Sequence, residues 1–99
     1  MKDIKKIFKY VIPITDESKL QLPAGAQIFS VIEQRNEIVL YAIINTFVEV
    51  TKTVSIRVVG TGHVINFDLN EYKFLGTISL CGGTLMFHVF FSDYEYCGR

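Results

Sequence analysis

Residues 75–91 read LGTISLCGGTLMFHVFF, and this stretch decides the fold. Two apolar runs flank Gly82-Gly83, and paired glycines take up the positive φ of a two-residue hairpin turn without steric cost. We therefore predict a β-hairpin in which Cys81 faces Thr84 and in which one face is apolar and the other mixed. The predicted core face contains the pairs Leu80–Leu85, Ile78–Phe87 and Gly76–Val89; the mixed face contains Thr77 opposite His88, together with Ser79, Met86 and Phe90.

The rest of the chain consists of short alternating segments separated by Gly, Pro and Asn turns. It contains no long stripe of apolar residues at helical spacing. Six to eight short strands predict one all-β domain over residues 1–99, either an antiparallel β-sandwich or a small barrel. The predicted strands cover residues 4–12, 19–22, 27–34, 37–46 and 53–59 besides the hairpin, whereas residues 47–52 fit strand or loop and residues 64–72 are polar and irregular.

A second hairpin is predicted around Arg35-Asn36, because Asn tolerates positive φ. Both of its faces are bulky and apolar, which is not typical of a sheet with one face in water. The predicted faces are Phe29, Val31, Ile38, Leu40 and Ala42 on one side, and Ile28, Ile32, Val39, Tyr41 and Ile43 on the other. Since 49% of the residues are hydrophobic, we expect a homo-oligomer, most simply a dimer, to cover the second face; a dense core within one chain is the alternative.

The charge balance argues against some partners. Ten basic and ten acidic residues give a net charge of zero, so binding to nucleic acid or to an anionic membrane surface is not expected. The lysines of the first nine residues fit the protection of an edge strand. We find neither a signal peptide nor a membrane span and expect the bacterial host cytoplasm. Cys81 and Cys97 do not make a disulfide framework, and Cys97 is expected to be loose.

One turn could bind an anion. The backbone N–H groups of Gly60-Thr61-Gly62-His63 could form an anion nest, with Arg57 as the nearby positive charge and His88 as a further contact. A purely structural turn is the alternative. We expect no catalytic residue, metal or cofactor, because the two histidines and Asp68 lack ligand spacing and Cys81 lies out of hydrogen-bond reach of His88.

Several stretches resemble an uncharacterised family of small proteins encoded by phages and prophages. They are IFKYVIPITDE, LPAGAQIFSV, VLYAII, RVVGTGH and LGTISLCGGTLMFHVF, and they cover most of the chain in order. The resemblance departs over residues 47–53 and after Phe91.

The resemblance implies an origin in mobile DNA and a non-catalytic role. We therefore expect an accessory protein that binds a host or defence-system protein, in an anti-defence role for example. The alternatives are a protein that sequesters a small anionic, nucleotide-like ligand, and a self-assembling virion component. A small enzyme using His63, His88 and Asp68 is the least expected.

Overall fold

The computed structural model describes residues 3–92, which form seven strands and two short 3-10 helices. Cys97 and the rest of the tail therefore lie outside the described residues. No helix in residues 3–92 has the length and apolarity needed to cross a membrane. The strands are β1 (Lys5–Ile12), β2 (Glu17–Pro23), β3 (Gln27–Gln34), β4 (Glu37–Asn45), β5 (Thr51–Gly60), β6 (Tyr72–Leu80) and β7 (Leu85–Ser92), and the 3-10 helices are Leu69–Glu71 and Cys81–Gly83.

The strands form two antiparallel sheets that pack face to face. Sheet A has three strands in the order β1-β4-β3, and sheet B has four in the order β2-β5-β7-β6. Alternate residues of both sheets point inward and exclude water from a shared apolar core. The prediction of an all-β sandwich is confirmed. The most deeply buried large side chains are Leu22, Ile38, Leu40, Val54, Ile56 and Val89.

Both predicted hairpins form, one from β3 and β4 and the other from β6 and β7. Arg35 and Asn36 take φ values of 54° and 62° in the β3–β4 turn, which is the geometry that matches the twist of two antiparallel strands. In the β6–β7 hairpin, the predicted pairs Leu80–Leu85, Ile78–Phe87, Thr77–His88 and Gly76–Val89 are all present. The turn chemistry therefore set the register of this hairpin correctly.

The β6–β7 connection is longer than predicted. The strands end at Leu80 and resume at Leu85, so four residues connect them instead of two. Cys81 adopts a φ of 53°, and its backbone N–H donates to Oδ1 of Asn36 at 2.8 Å. Because its N–H is bonded to the other hairpin, Cys81 leaves the β6–β7 ladder. Gly82 and Gly83 still form the predicted tight turn within the four-residue connection.

A β-bulge in β3 changes which of its side chains face the core, and the predicted faces were wrong at this point. The register of β3 against β4 shifts between Ile28 and Ser30, which leaves Phe29 without a partner. One extra residue reverses the alternation that precedes it. Ile28 therefore packs against the core, whereas Phe29 is exposed; the prediction had these two residues the other way round.

Smaller corrections concern strand ends. Leu85 was predicted in the core but is exposed, because the β5–β7 ladder ends at the Gly60–Phe87 pair and Leu85 extends beyond it. The ambiguous segment 47–52 divides into a loop and the first two residues of β5, and residues 64–71 form a connection that ends in a 3-10 helix.

The two sheets come closest where β3 and β6, their edge strands, run side by side. A Cβ atom at Gly76 would lie 2.9 Å from Cγ1 of Val31, which is closer than carbon atoms pack. Val31 is β-branched, so its side chain has little rotamer freedom with which to move away. A side chain at position 76 would therefore force Val31 or the two edge strands to shift.

We expect Gly76→Ala to lower the free energy of unfolding by about 1–3 kcal/mol, as overpacking of a core does. Urea unfolding would measure this change. The penalty should shrink in a Val31→Ala background, because the clashing methyl group is then absent. Ser79→Ala, at an exposed position of the same strand, should change stability by less than about 0.5 kcal/mol. An equal penalty in both backgrounds would contradict the proposed clash.

Candidate functional site

The predicted site residues Arg57 and His88 both lie on the outer face of sheet B. Val58 and Val89 are buried in the core, and side chains alternate along a strand, so the residues next to them point outward. Arg57 pairs with Phe90 on β7, and His88 pairs with Val59 on β5. Arg57 and His88 are therefore diagonal neighbours on one face.

His88 fastens the Gly60–His63 turn to the sheet. Its Nε2 lies 2.8 Å from the hydroxyl of Thr61, and its Nδ1 lies 2.9 Å from the hydroxyl of Thr77. A hydroxyl can donate or accept, so both ring nitrogens are satisfied in either tautomer. The backbone N–H of Thr61 also donates to the Met86 carbonyl at 3.2 Å. The structure thus brings Thr61 and His88 together.

His63 packs against its own turn. Its backbone N–H donates to the Gly60 carbonyl at 3.0 Å, and a Cβ atom at Gly60 would lie 3.0 Å from the imidazole ring. Gly62 supplies the positive φ of 89° that the turn requires. The cleft beside His63 has a volume of only about 40 Å³, which is far below the several hundred Å³ typical of a nucleotide-sized site. That the turn binds an anion stays a prediction.

Arg57 belongs to a hydrogen-bonded network that the sequence did not indicate. Its Nε donates to the Tyr72 hydroxyl at 3.2 Å, and its Nη2 lies 3.7 Å from Oε1 of Glu17. Ser55 donates to Oε2 of Glu17 at 2.9 Å, so the 2.8 Å contact between Ser55 and Tyr72 must have the tyrosine as donor. The charge of Arg57 is thus already balanced within the fold.

The network shifts two pKa values in the direction that favours the charged forms. The hydrogen bond to Tyr72 is the main cause that raises the pKa of Arg57, with the Glu17 charge in support. The ammonium of Lys19, 3.0 Å from Oε2, is the main cause that lowers the pKa of Glu17, followed by the Ser55 hydroxyl. Both groups are therefore charged near neutral pH.

Aromatic side chains surround this network. The Arg57 guanidinium lies 5.0 Å from the centre of the Phe67 ring and 5.6 Å from that of Tyr72, within cation–π range. Phe67 contacts Tyr72 and Phe90 with ring centres 4.8 and 5.6 Å apart, and Phe90 contacts Phe74 at 5.4 Å. We call Phe67, Tyr72, Phe74, Met86, His88 and Phe90 the aromatic surface.

The sequence indicated three of the six residues of the aromatic surface. Met86, His88 and Phe90 were expected on the mixed face of the hairpin, whereas Phe67 and Tyr72 fell in the irregular segment 64–72. No periodicity marks Phe67 in that segment. The ion pair of Glu17 with Arg57 arises only when β2 pairs with β5, which no local pattern predicts.

A groove larger than the cleft beside His63 lies elsewhere on the sandwich. It has a volume of about 400 Å³, and its lining includes Ile28, Phe29, Lys52 and Lys73. Ser92, the last residue that the structure describes, also lines this groove. Within residues 3–92, no three His, Cys, Asp or Glu side chains are grouped to hold a metal ion.

The lowered pKa of Glu17 should make stability depend on pH. Its contribution is complete above the ordinary value of 4.5 and is lost as the pH falls through the lower folded-state pKa. We therefore expect the free energy of unfolding to fall more steeply below pH 4.5 for the wild type than for Glu17→Gln, measured by urea unfolding across acidic pH. Glu49→Gln, an equal charge change in an exposed loop, is the control; parallel curves for wild type and Glu17→Gln would contradict this role.

Comparison with known proteins identifies a family but no activity. No curated protein and no solved structure matches the chain. One family model, described as a domain of unknown function, matches residues 3–96. The match extends over both hairpins, the Gly60–His63 turn and the aromatic surface, and the chain therefore belongs to this family, DUF7352.

Proposed function

We propose that this is a non-catalytic accessory protein, encoded by a phage or prophage, that binds a host or defence-system protein through the aromatic surface. Its place of action is the bacterial cytoplasm. The resemblance of the GTGH turn and the GGTLMFHVF hairpin to phage-encoded proteins supports the proposed origin. The observation that carries the proposed binding is the exposure of Phe74 and Met86 on the outer face of sheet B.

The composition of the aromatic surface matches that of protein interfaces. Phe, Tyr, Met and Arg are enriched at the centres of such interfaces, whereas Lys and Glu are depleted there. Aromatic anchors contribute large contact areas and fix few rotatable bonds on binding. Met adapts its shape to a partner. The surface combines these residue types with the hydroxyl groups of Thr61 and Thr77 at its rim.

Contacts within the chain restrict the rings of the aromatic surface. Phe74 packs on Phe90, Phe90 on Phe67, and Phe67 on Tyr72 and the Arg57 guanidinium. The hydrogen bonds of His88 to two threonine hydroxyls fix that ring as well. A surface with few free rotamers loses little conformational entropy on binding. This favours recognition of a defined protein partner over loose hydrophobic contact.

Sequestration of a small anion is the alternative, and the geometry favours it less. Arg57 already has the Glu17 carboxylate and the Tyr72 hydroxyl as partners, and both ring nitrogens of His88 are bonded. An anion would have to displace these groups. Calorimetry with cyclic and linear nucleotides would detect such a ligand, and heat that disappears in His88→Ala would support the alternative.

We expect Phe74→Ala to weaken binding of the partner by about thirtyfold or more, as loss of an aromatic anchor at an interface centre does. Tagged wild-type chain is expressed in a bacterial host, the co-purifying protein is identified, and its affinity is measured with both proteins purified. Phe29→Ala is the matched control, because Phe29 is 49% exposed against 58% for Phe74 but lies in the β3 bulge of the other sheet.

The outcome that supports the proposal is a purified partner that binds wild type and Phe29→Ala equally and Phe74→Ala weakly. Urea unfolding of the two variants checks that both remain folded. Equal affinity of all three chains for the partner would contradict a role of the aromatic surface. The absence of any protein that binds the purified chain would contradict the proposed function itself.

A further inference from the structure

Strand β1 forms one edge of sheet A, and its backbone is paired on one side only. The Thr46 N–H donates to the Ile4 carbonyl at 2.9 Å, next to the Lys5–Asn45 pair of the β1–β4 ladder. Hydrogen-bonded pairs alternate along an antiparallel ladder, so the even-numbered residues of β1 bond to β4. The N–H and C=O groups that point away from the sheet are those of Lys5, Ile7, Lys9 and Val11.

The other edge of the open side, β2, is partly closed. The Val58 N–H donates to the Asp16 carbonyl at 3.4 Å, and the same alternation directs the backbone of Glu17 outward. The Glu17 carbonyl accepts a hydrogen bond from the Thr15 hydroxyl at 3.1 Å. Pro23, at the end of β2, has no N–H to offer. An added strand would therefore find gaps at both ends of β2.

The remaining edge strands, β3 and β6, are interrupted. Each carries a register shift in its ladder, and a bulge bends an edge strand and disrupts its pairing. β1 instead pairs with β4 over eight consecutive residues without a shift. Among the edge strands of residues 3–92, β1 is thus the one with the regular geometry that accepts a further strand along its whole length.

The outward backbone groups of β1 determine which kind of ligand matches them. They repeat at every second residue, about 7 Å apart, and an extended polypeptide presents donors and acceptors with the same repeat. Addition of such a segment to a sheet edge is a common mode of peptide recognition. Ile7 and Val11 expose 60% and 53% of their surface, so the edge is accessible.

The charges of β1 determine the sequence of that segment. Lys5, Lys6 and Lys9 are all exposed, and within residues 3–92 none of them forms an ion pair with a carboxylate. Opposite charges directly across two strands attract, and like charges repel. Because β1 contains no acidic residue, β1 of a second copy would add three further lysines to the same edge. The lysines therefore favour an acidic strand over a copy of this chain.

We propose that β1 binds an extended acidic segment of a partner protein as a fourth strand of sheet A. The segment runs antiparallel to β1, which is the more stable ladder. It has carboxylates opposite Lys5 and Lys9 and an apolar side chain opposite Ile7, and its backbone bonds to the outward N–H and C=O groups. This edge is separate from the aromatic surface, and the proposal stands independently of the proposed function.

The probe that tests this edge is a capped synthetic peptide of eight residues, the length of β1. It has glutamates opposite Lys5, Lys6 and Lys9, valines opposite Ile7 and Val11, and threonines elsewhere. Hydrogen exchange followed by NMR is measured on the full chain with and without the peptide. We expect the outward amides of Ile7 and Lys9 to exchange about tenfold more slowly or less at saturation, because they become hydrogen-bonded.

The amides of Lys19 and Gln21 are the internal control, since they point outward on β2 and should not change. Two N-methylated peptides test the backbone pairing. A methyl group on the nitrogen that faces Ile7 should abolish binding, whereas one on the nitrogen opposite Phe8, which points away from β1, should not. A peptide with lysines in place of the glutamates should bind about tenfold more weakly or worse.

A proline variant tests the same edge from the side of the protein. Ile7→Pro removes an outward N–H but no bond to β4, and proline is tolerated at such edge positions. We expect it to abolish peptide binding. Gln21→Pro, at an outward position of β2, is the matched control and should bind like the wild type. Circular dichroism checks that both variants are folded, and the N-methylated peptides decide the question if Ile7→Pro is not.

Three results would overturn the proposed interface. They are equal binding of the two N-methylated peptides, equal binding of the acidic and the lysine peptide, and unchanged exchange of the Ile7 and Lys9 amides at millimolar acidic peptide.

Discussion

The close approach of β3 and β6 is the constraint on which the rest of the structure depends. A Cβ atom at position 76 would lie 2.9 Å from Cγ1 of Val31. Glycine, which has no side chain, is the residue that leaves room for Val31 there. Because the two edge strands meet there, the two hairpins also meet at their turns, and Asn36 binds the backbone of Cys81 at 2.8 Å. The sandwich is thereby joined along one side, and the outer faces of its sheets point in opposite directions.

The parts of the fold that local chemistry controls could be predicted from the sequence. Gly82-Gly83 and Arg35-Asn36 each determine a turn, and a turn together with an alternation of period two determines which residues face each other. The bulge at Phe29 and the positive φ of Cys81 could not be predicted this way. The positive φ of Cys81 accompanies a contact between segments distant in the chain, the Asn36–Cys81 hydrogen bond across 45 residues. The bulge at Phe29 interrupts the period of two within the β3–β4 hairpin itself, and no turn residue marks it.

The same division applies to the candidate site. Alternation along the hairpin placed His88 on the mixed face, opposite the predicted core face, but the sequence carried no information about the partners of His88 or Arg57. Glu17 reaches Arg57 only through the pairing of β2 with β5, and Phe67 reaches it from an irregular connection. A charged or aromatic residue in a sequence is a candidate for a site, and its neighbours in space decide whether its charge is still available to a ligand.

The opposite orientation of the two outer faces has a consequence for valency. The dimer expected from the sequence, with the outer faces of sheet A covering each other, would carry two aromatic surfaces directed away from each other. Such a protein could bridge two separate target molecules or hold two sites of one oligomeric target. In the second case, the linked contacts would strengthen attachment by a factor of about 10²–10⁴ without any new contact.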